Sequence, residues 1–159
     1  MTQQYVIVGG NAAGMSTATR LRRLDETAEI IILEQGEHVS YASCGLPYHL
    51  SDTVPEEQLA VMGVDQLSAA FDLDIRTGVT ATGIDPDAAT VSVTDADGES
   101  TTIVYDDLVV ATGAEPLVPP MFDLDELEHC HTLRTVSDAT GIREEVADAE
   151  RALVIGGGY

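Results

Sequence analysis

The residue with the most distinctive chemistry is Cys44, in the stretch SYASCGLPY at residues 40–48. Cysteines that form disulfides or bind metals usually have a partner at short spacing, and the only other cysteine is the distant Cys130. A lone thiol can still act as a nucleophile when it is ionised to the thiolate. Cys44 is therefore a candidate redox cysteine, and two widely separated cysteines suit a reducing compartment.

The residues after Cys44 favour a short helix, since Pro47 is tolerated in a first helical turn. A helix N-terminus favours negative charge and would therefore favour the thiolate of Cys44. Because no resolving cysteine follows, the covalent intermediate must involve another molecule. It could be a mixed disulfide with a small thiol, or a sulfenic acid formed with oxygen or peroxide. The alternative is an inert buried cysteine.

The segments before Cys44 predict a βαβ unit that starts with the first residues of the chain. YVIVGG (5–10) and EIIILE (29–34) are short apolar runs typical of buried parallel strands. Residues 12–24 between them have a composition compatible with a helix, with arginines near the C-terminal end. Their combined length matches one βαβ unit.

The turn GGNAAG at residues 9–14 is similar to the dinucleotide pattern G-x-G-x-x-G, with Asn11 in place of the middle glycine. Glu34 ends the second strand about 20 residues later, where a carboxylate accepts hydrogen bonds from ribose hydroxyls. The N-terminus of the helix offers unpaired amides to phosphate. Together these features predict an adenine dinucleotide site. The alternative is a turn that uses small residues only for packing.

The later segments predict two more helices, two more buried strands and an antiparallel meander with a hairpin turn at 96–98. In order, they are a helix at 64–71, meander strands at 74–85, 89–95 and 100–106, a buried strand at 107–113, a helix at 136–149 and a buried strand at 152–159.

The charge is strongly negative, with 28 acidic residues against 7 basic ones, all arginine, and a formal net charge of -21. Such a chain repels nucleic acid and anionic membranes, so neither is expected as a partner. The composition resembles that of haloarchaeal proteins. In a cytoplasm with ~1 M salt the Debye length is only ~3 Å, so the repulsion between the acidic residues would be screened. The chain has no apolar run near the length of a membrane span and no signal-like start, which predicts a cytoplasmic protein.

Six motifs follow one another along the chain: GGNAAG, Glu34, SYASCGLPY, YDDLVVATGAEP, HTLRTVSDA and LVIGGGY. Their order resembles that of the FAD-dependent pyridine nucleotide–disulfide oxidoreductases. The most similar pattern is the single-cysteine branch of that family, which includes coenzyme A-disulfide reductases, NADH oxidases and NADH peroxidases. The two-cysteine branch carries a C-x4-C pair, and this chain has no second cysteine near Cys44.

The resemblance implies an α/β fold: a Rossmann-like FAD-binding domain whose parallel sheet is interrupted by an antiparallel meander. It implies that the ring of FAD lies beside Cys44 and that NAD(P)H is the electron donor. The backbone of Val79 is expected to face the adenine. The other expected FAD-binding residues are Gly9, Asn11, Ala12, Ala13, Gly14, Glu34, Ala111, Thr112 and Gly113.

Ser16, Arg20 and Arg23 are spaced i, i+4 and i+7 along one face of the first helix, where two arginines could hold the phosphates of coenzyme A. With Ser40 and Ser43 they match the family's coenzyme A contacts, although Arg20 and Ser43 stand where glutamine and asparagine are more common. The substrate is therefore left open between coenzyme A disulfide, another small disulfide, oxygen and peroxide. The alternative role for the arginines is to cap the end of the helix.

The resemblance further implies that residues 1–150 form an incomplete FAD-binding domain and that residues 151–159 begin a truncated NAD(P)-binding domain. The chain is thus expected to be an N-terminal fragment, inactive alone, of an enzyme that is homodimeric at full length. A non-catalytic flavin-binding fragment is the remaining alternative.

Three histidines lie near the two cysteines. His129 and His131 flank Cys130, but alternate residues of a strand point to opposite faces, so no metal site is expected there. His49 follows Cys44 by five residues. We expect it to be a partly exposed structural histidine in preference to an acid–base group.

Overall fold

The computed structural model describes residues 2–122, 124 and 127–156. The chain separates into two compact units, one made of residues 1–42 and 60–114 and the other of residues 43–59 and 115–159. None of the helices in the described ranges has the length and apolar character needed to cross a bilayer. The helices are α1 (Ala12–Leu24), α2 (Leu46–Leu50), α3 (Val64–Phe71) and α4 (Val136–Val146). The strands are β1 (Gln4–Val8), β2 (Glu29–Glu34), β3 (Asp74–Thr77), β4 (Thr80–Asp85), β5 (Thr90–Thr94), β6 (Ser100–Val104) and β7 (Asp107–Val110).

The first unit is built on a four-stranded parallel sheet in the order β3-β2-β1-β7. One face of this sheet packs against α1 and α3. Ile7 and Ile32 from the central strands meet Met15, Ala18 and Leu67 from the helices in one buried cluster. Central strands covered on both faces need apolar residues at successive positions, which explains the unbroken apolar runs seen in the sequence.

The opposite face of the parallel sheet is covered by an antiparallel sheet in the order β4-β5-β6. Val91, Val93 and Ile103 of this layer pack against Val6 and Leu33 of the parallel sheet in a second buried cluster. Successive residues of a strand point to opposite faces, so neighbours such as Val6 and Ile7 serve different layers. The expected α/β fold with an inserted antiparallel meander is confirmed.

Residues 74–85 were predicted as a single meander strand, and this was wrong. The segment breaks at Gly78, whose φ of +67° is in the left-handed region that glycine favours. The part before the break is β3, which pairs with β2 in the parallel sheet, and only the part after it, β4, belongs to the meander. At the break, the amides of Gly78 and Val79 donate to the carbonyls of Gly36 and Glu34 at 3.1 and 3.0 Å.

The predicted strand at 152–159 is also wrong over its described part. Residues 152–156 form no strand, and 157–159 lie outside the described residues. Leu153 and Val154 are exposed there. An apolar run becomes a strand only where a neighbouring strand satisfies its backbone groups, and none is paired with this segment in the described part of the chain. The predicted helix at 136–149 ends earlier, at Val146.

Arg22 ties the C-terminal end of α1 to the end of α3. Its guanidinium donates to the carbonyls of Phe71, Asp72 and Glu26 at 3.0, 2.6 and 3.0 Å. The side chain is only 12% exposed, and its bond to the Phe71 carbonyl is partly buried. One of the seven basic residues therefore has a structural role, fixing the two helices that line a cavity described below.

The second unit has a small core in which Leu46, Leu59, Val136 and Ala139 are buried. α2 and α4 pack together within it. α4 begins with a reciprocal cap: the Asp138 amide donates to Thr135 Oγ1 at 3.1 Å, and the Thr135 amide donates to Asp138 Oδ2 at 2.8 Å.

Candidate functional site

The first and last glycines of the turn after β1 are required by close packing. Gly9 has a φ of +107°, and a Cβ atom there would lie 2.2 Å from the carbonyl oxygen of Ala111. A Cβ atom on Gly14 would lie 1.8 Å from the carbonyl oxygen of Gly9. No side chain fits at either position without displacing backbone, so the helix packs directly against the turn, as dinucleotide-binding folds require.

The middle position, Asn11, has a different backbone requirement. Its φ of -98° and ψ of -150° are extended, and it directly precedes α1. An extended position accepts any L residue, so the missing glycine does not disturb the turn. Ala12 and Ala13 then form the exposed first turn of α1, and their small side chains leave its N-terminal amides accessible to an anion.

The carboxylate of Glu34 is held in a fixed orientation beside this turn. Oε2 accepts a hydrogen bond from the Gly10 amide at 2.8 Å, and Oε1 accepts one from the Gly36 amide at 2.9 Å. Each carboxylate oxygen has a second lone pair, so both can still accept from hydroxyls. A Cβ atom on Gly10 would lie 2.7 Å from Val39 Cγ1, so Gly10 is required for this approach. Gly10 was not among the residues predicted from the sequence. Its position inside the glycine turn, between Gly9 and Asn11, could have indicated it.

Val79 follows the break at Gly78 and lies next to the same carboxylate residue. Its amide is already bonded to the Glu34 carbonyl at 3.0 Å. A backbone hydrogen bond from Val79 to a ligand would therefore have to use the Val79 carbonyl as acceptor.

Ala111, Thr112 and Gly113 follow the carboxyl end of β7, next to the end of β1. The Ala111 amide donates to the Val8 carbonyl at 2.7 Å, which extends the pairing of these strands to the edge of the sheet. Gly113 has a φ of +74°, where the chain turns away. The first unit thus brings the expected dinucleotide residues together at one carboxyl edge, where α/β sheets bind ligands.

A cavity of about 280 Å³ lies beside α1 in the first unit. Ser16, Arg23 and Ser40, three of the expected substrate residues, line it. Arg20 is exposed on the same helix but does not line the cavity, and Ser43 belongs to the second unit. The remaining lining residues are Ala12, Met15, Thr19, Leu67 and Phe71. Thr19 was missed by the sequence reasoning, although it follows Ser16 at the i+3 spacing that places residues on one helix face.

Cys44 lies in the second unit and is exposed as a free thiol. It is the central residue of a single 3-10 turn, Ser43–Gly45, which continues directly into α2. The expected helix after Cys44 is present, although it is only five residues long. The alternative of a buried cysteine is wrong, because the thiol is exposed.

His49 was expected to be partly exposed, and this was wrong. It lies in α2 and is 1% exposed. Its Nδ1 is 3.0 Å from the Val54 carbonyl oxygen. No pattern of neighbouring residues indicates this burial, because it arises from the loop after α2, which folds back onto the end of the helix.

The two histidines around Cys130 both contact α4. His129 Nδ1 and His131 Nε2 lie 2.7 and 3.0 Å from the same oxygen of Glu145. The hydrogen bond to Glu145, together with its charge, raises the pKa of His129. The hydrogen bonds from His129 and then His131 lower the pKa of Glu145. The segment is not a strand and His129 has a φ of +57°, so the alternation argument used for these histidines was wrong. Within the described ranges, no three potential metal ligands are arranged to hold an ion.

Comparisons with known proteins identify the family and the fold of the chain. A model of the family described as pyridine nucleotide-disulphide oxidoreductase matches residues 3–159. An NAD(P)H sulfur oxidoreductase (CoA-dependent) of Pyrococcus abyssi is 36% identical over 156 residues, and an NADH oxidase of Methanocaldococcus jannaschii is 28% identical over 156 residues. These matches cover 97% and 96% of this chain but 34% and 35% of the relatives, so the chain spans about a third of their length. The crystal structure of reduced CoADR-RHD from Bacillus anthracis matches with a TM-score of 0.89 at 36% identity, covering 93% of this chain and 27% of that one.

Proposed function

The chain belongs to the pyridine nucleotide-disulphide oxidoreductase family, and we propose that it forms the FAD-binding part of an enzyme that reduces a small-molecule disulfide at Cys44. The observation that carries this proposal is the carboxylate of Glu34, which two backbone amides fix beside the glycine turn. A carboxylate at this position can accept hydrogen bonds from the ribose hydroxyls of an adenine dinucleotide. The expected division into an FAD-binding part at 1–150 and the start of an NAD(P)-binding part at 151–159 belongs to the same proposal.

The residues at the carboxyl edge of the parallel sheet fit an adenine dinucleotide. Gly9 and Gly14 let the turn and α1 pack directly against neighbouring backbone, which sets the N-terminus of α1 at this edge of the sheet. The N-terminal amides of α1, at Ala12 and Ala13, face the position of the phosphates with Asn11 beside them. Glu34 would accept from the ribose hydroxyls, and the carbonyl of Val79 would accept from the adenine. Ala111, Thr112 and Gly113 would line the side nearest β7.

The cavity beside α1 supports a substrate that carries a negative charge. Arg23 provides a cation, while Ser16 and Ser40 provide hydroxyl groups that can donate to phosphate oxygens. The name of the Pyrococcus abyssi relative includes coenzyme A dependence, and coenzyme A contains both a thiol and phosphates. We therefore propose coenzyme A disulfide as the substrate, with Arg20 of the same helix at the periphery of the site. The expected role of Ser43, which belongs to the other unit, stays a prediction.

At Cys44, the proposed reaction is a thiol–disulfide exchange. The Cys44 thiolate attacks one sulfur of the disulfide, a bond forms between these sulfurs, and the second thiol leaves as a thiolate that takes up a proton. FAD, when bound, supplies the two electrons from NAD(P)H that reduce the resulting mixed disulfide, releasing the first thiol and restoring the Cys44 thiolate. The exposure of Cys44 allows the substrate disulfide to reach it.

The full-length enzyme is proposed to be a homodimer in a salt-rich cytoplasm. The chain has 28 acidic and 7 basic residues, and this supports a salt-rich environment. Dissolved salt screens the repulsion between the acidic side chains. If this is right, the free energy of unfolding of the full-length protein rises as KCl is added over the molar range. A protein that is most stable in dilute buffer contradicts this part of the proposal.

The decisive experiment compares Cys44→Ser with Cys130→Ser in the full-length protein. Cys44→Ser should abolish NAD(P)H-dependent reduction of coenzyme A disulfide while FAD remains bound, as judged from its absorbance spectrum. Cys130→Ser should retain activity, because Cys130 has no role in the exchange. Undiminished disulfide reduction by Cys44→Ser overturns the proposal.

A second function, NADH oxidation through a Cys44 sulfenic acid, is favoured by the similarity to the Methanocaldococcus jannaschii NADH oxidase. A sulfenate-selective reagent and mass spectrometry separate the two functions. Labelling of Cys44 by this reagent after exposure to peroxide or oxygen, without a bound small thiol, supports the oxidase. A mass increase equal to that of a disulfide-linked thiol supports the reductase.

A further inference from the structure

His49 is a buried imidazole with one nitrogen in use. Its Nδ1 is 3.0 Å from the carbonyl oxygen of Val54, and because a carbonyl can only accept, Nδ1 carries the hydrogen and donates. Nε2 is the second ring nitrogen, and it has no hydrogen-bond partner in the described part of the chain. A leucine would fill the same position without burying polar atoms. Packing alone therefore does not explain why an imidazole lies here. The hydrogen bond from Nδ1 to Val54 does explain it.

The bond from His49 to Val54 closes the loop at 51–54 onto the end of α2. The loop also caps the helix: the amides of Thr53 and Val54 donate to the Tyr48 carbonyl at 2.9 and 3.2 Å, and the Asp52 amide donates to the His49 carbonyl at 3.1 Å. A helix of five residues is too short to be stable by itself. These bonds, together with the packing of α2 against α4, hold α2 in place.

The loop and the turn that follows it at Glu56–Gln58 are in turn attached to α4, the longer helix of the same unit. Asp52 forms an ion pair with Arg143, and Glu56 accepts a hydrogen bond from Thr140 Oγ1 at 3.0 Å. α4 is itself anchored by buried side chains, Val136 among them. A continuous set of contacts therefore leads from α4 through the loop to His49.

Cys44 is at the other end of this set of contacts. The turn Ser43–Gly45 and α2 form one uninterrupted helical run over 43–50, so the backbone direction at Cys44 follows that of α2. We propose that His49 is a positioning residue for Cys44, acting through the Nδ1 bond to Val54 that fixes α2. This inference rests on the proposed function only in taking Cys44 as the reactive thiol.

The test measures how fast iodoacetamide alkylates Cys44 in the full-length protein, with mass spectrometry of the peptide that contains it. Three variants separate the two ring nitrogens: His49→Leu removes both, His49→Asn places an N–H donor near the position of Nδ1, and His49→Gln places one near Nε2. We expect His49→Leu to change the rate by about threefold or more. His49→Asn should restore it to within about twofold of the wild type, and His49→Gln should not.

Three results overturn the proposal. A His49→Leu rate within about twofold of the wild type shows that α2 positions Cys44 without the bond. Rescue by His49→Gln, or none by His49→Asn, shows that the Nδ1 bond is not responsible. Should His49→Leu fail to fold, the Asn and Gln variants decide, and equal rates for these two overturn it. Alkylation needs neither FAD nor a disulfide, so this test can fail while disulfide reduction at Cys44 stands.

Discussion

The Gly10 amide donates to the Glu34 carboxylate at 2.8 Å, so the end of β2 and the turn after β1 are joined by a hydrogen bond between residues 24 positions apart. The acidic residue is thus oriented before any ligand arrives. Preorganised groups bind with less loss of conformational freedom, so this bond favours ligand affinity.

Replacing Glu34 with glutamine should weaken FAD binding by about tenfold or more, because the amide supplies one acceptor in place of a charged pair of oxygens. The NH2 group of the new side chain would also face one of the two backbone amides, and two donors cannot form a hydrogen bond with each other. Titration of the apoprotein with FAD, followed by flavin fluorescence, measures the change. Glu37→Gln is the matched control, since Glu37 is exposed nearby and should leave the affinity unchanged. Equal affinities in the two variants contradict the assignment of Glu34.

Replacing Gly14 with alanine should destabilise the protein by about 1–3 kcal/mol, because the new Cβ atom meets the Gly9 carbonyl oxygen and the turn has to shift. Gly141→Ala is the matched control in α4. A Cβ atom there meets nothing within 4 Å, and alanine should stabilise the helix by about 0.5–1 kcal/mol. Urea unfolding followed by circular dichroism measures both. A neutral Gly14→Ala variant would show that α1 does not pack on the turn as described.

The two arginines of the predicted phosphate clamp should differ in their effects. Arg23 lines the cavity beside α1 and Arg20 does not. Arg23→Met should therefore raise the KM for coenzyme A disulfide by about tenfold, the loss expected for one charge-assisted contact. Arg20→Met should change it by less than about threefold, as for a peripheral charge. Steady-state kinetics of the full-length enzyme decides, and a larger effect at Arg20 would place the substrate elsewhere on α1.

The contact of His129 with Glu145 should stabilise the second unit over a defined pH range. The raised pKa of His129 gives stability that is present below its ordinary value of 6.5 and is lost as the pH rises through the folded-state value. The lowered pKa of Glu145 gives stability that is present above 4.5 and is lost as the pH falls through the folded-state value. The contact is therefore fully formed between about pH 4.5 and 6.5.

An NMR titration of the His129 ring measures this directly. The pKa of His129 should fall in Glu145→Gln, because the charged hydrogen-bond acceptor is lost. Glu144→Gln serves as the control at the neighbouring position and should leave it unchanged. An unshifted His129 in Glu145→Gln would show that the contact does not form in solution.

The βαβ unit could be predicted from the sequence because its signals are local. The bounds of α1 and β2 are as predicted, since unbroken apolar runs and a helical segment between them depend on near neighbours only. The same is true of α3. Gly9, Gly14 and Glu34 could likewise be identified from their spacing, because one turn and one strand end position all three.

Features that depend on distant contacts could not be predicted. The division at Gly78 is decided by hydrogen bonds to Gly36 and Glu34, which lie in another part of the chain. The lining of the cavity by Thr19 likewise depends on where α3 packs. The burial of His49 is a nearer case, since it depends on how the loop at 51–54 folds back, which the sequence pattern does not indicate. Periodicity identifies the elements, whereas the pairing of elements decides which side chains meet.

The positions of β3 and β7 have a consequence for biosynthesis. These strands occupy opposite edges of the parallel sheet, and β7 pairs with β1 across about a hundred residues of chain. A growing polypeptide that has not yet emerged from the ribosome as far as Ala111 lacks the backbone that packs against Gly9. At about 5–20 residues per second, this backbone arrives several seconds after the glycine turn itself. Among the described residues, the parallel sheet is therefore completed only when β7 has been synthesised.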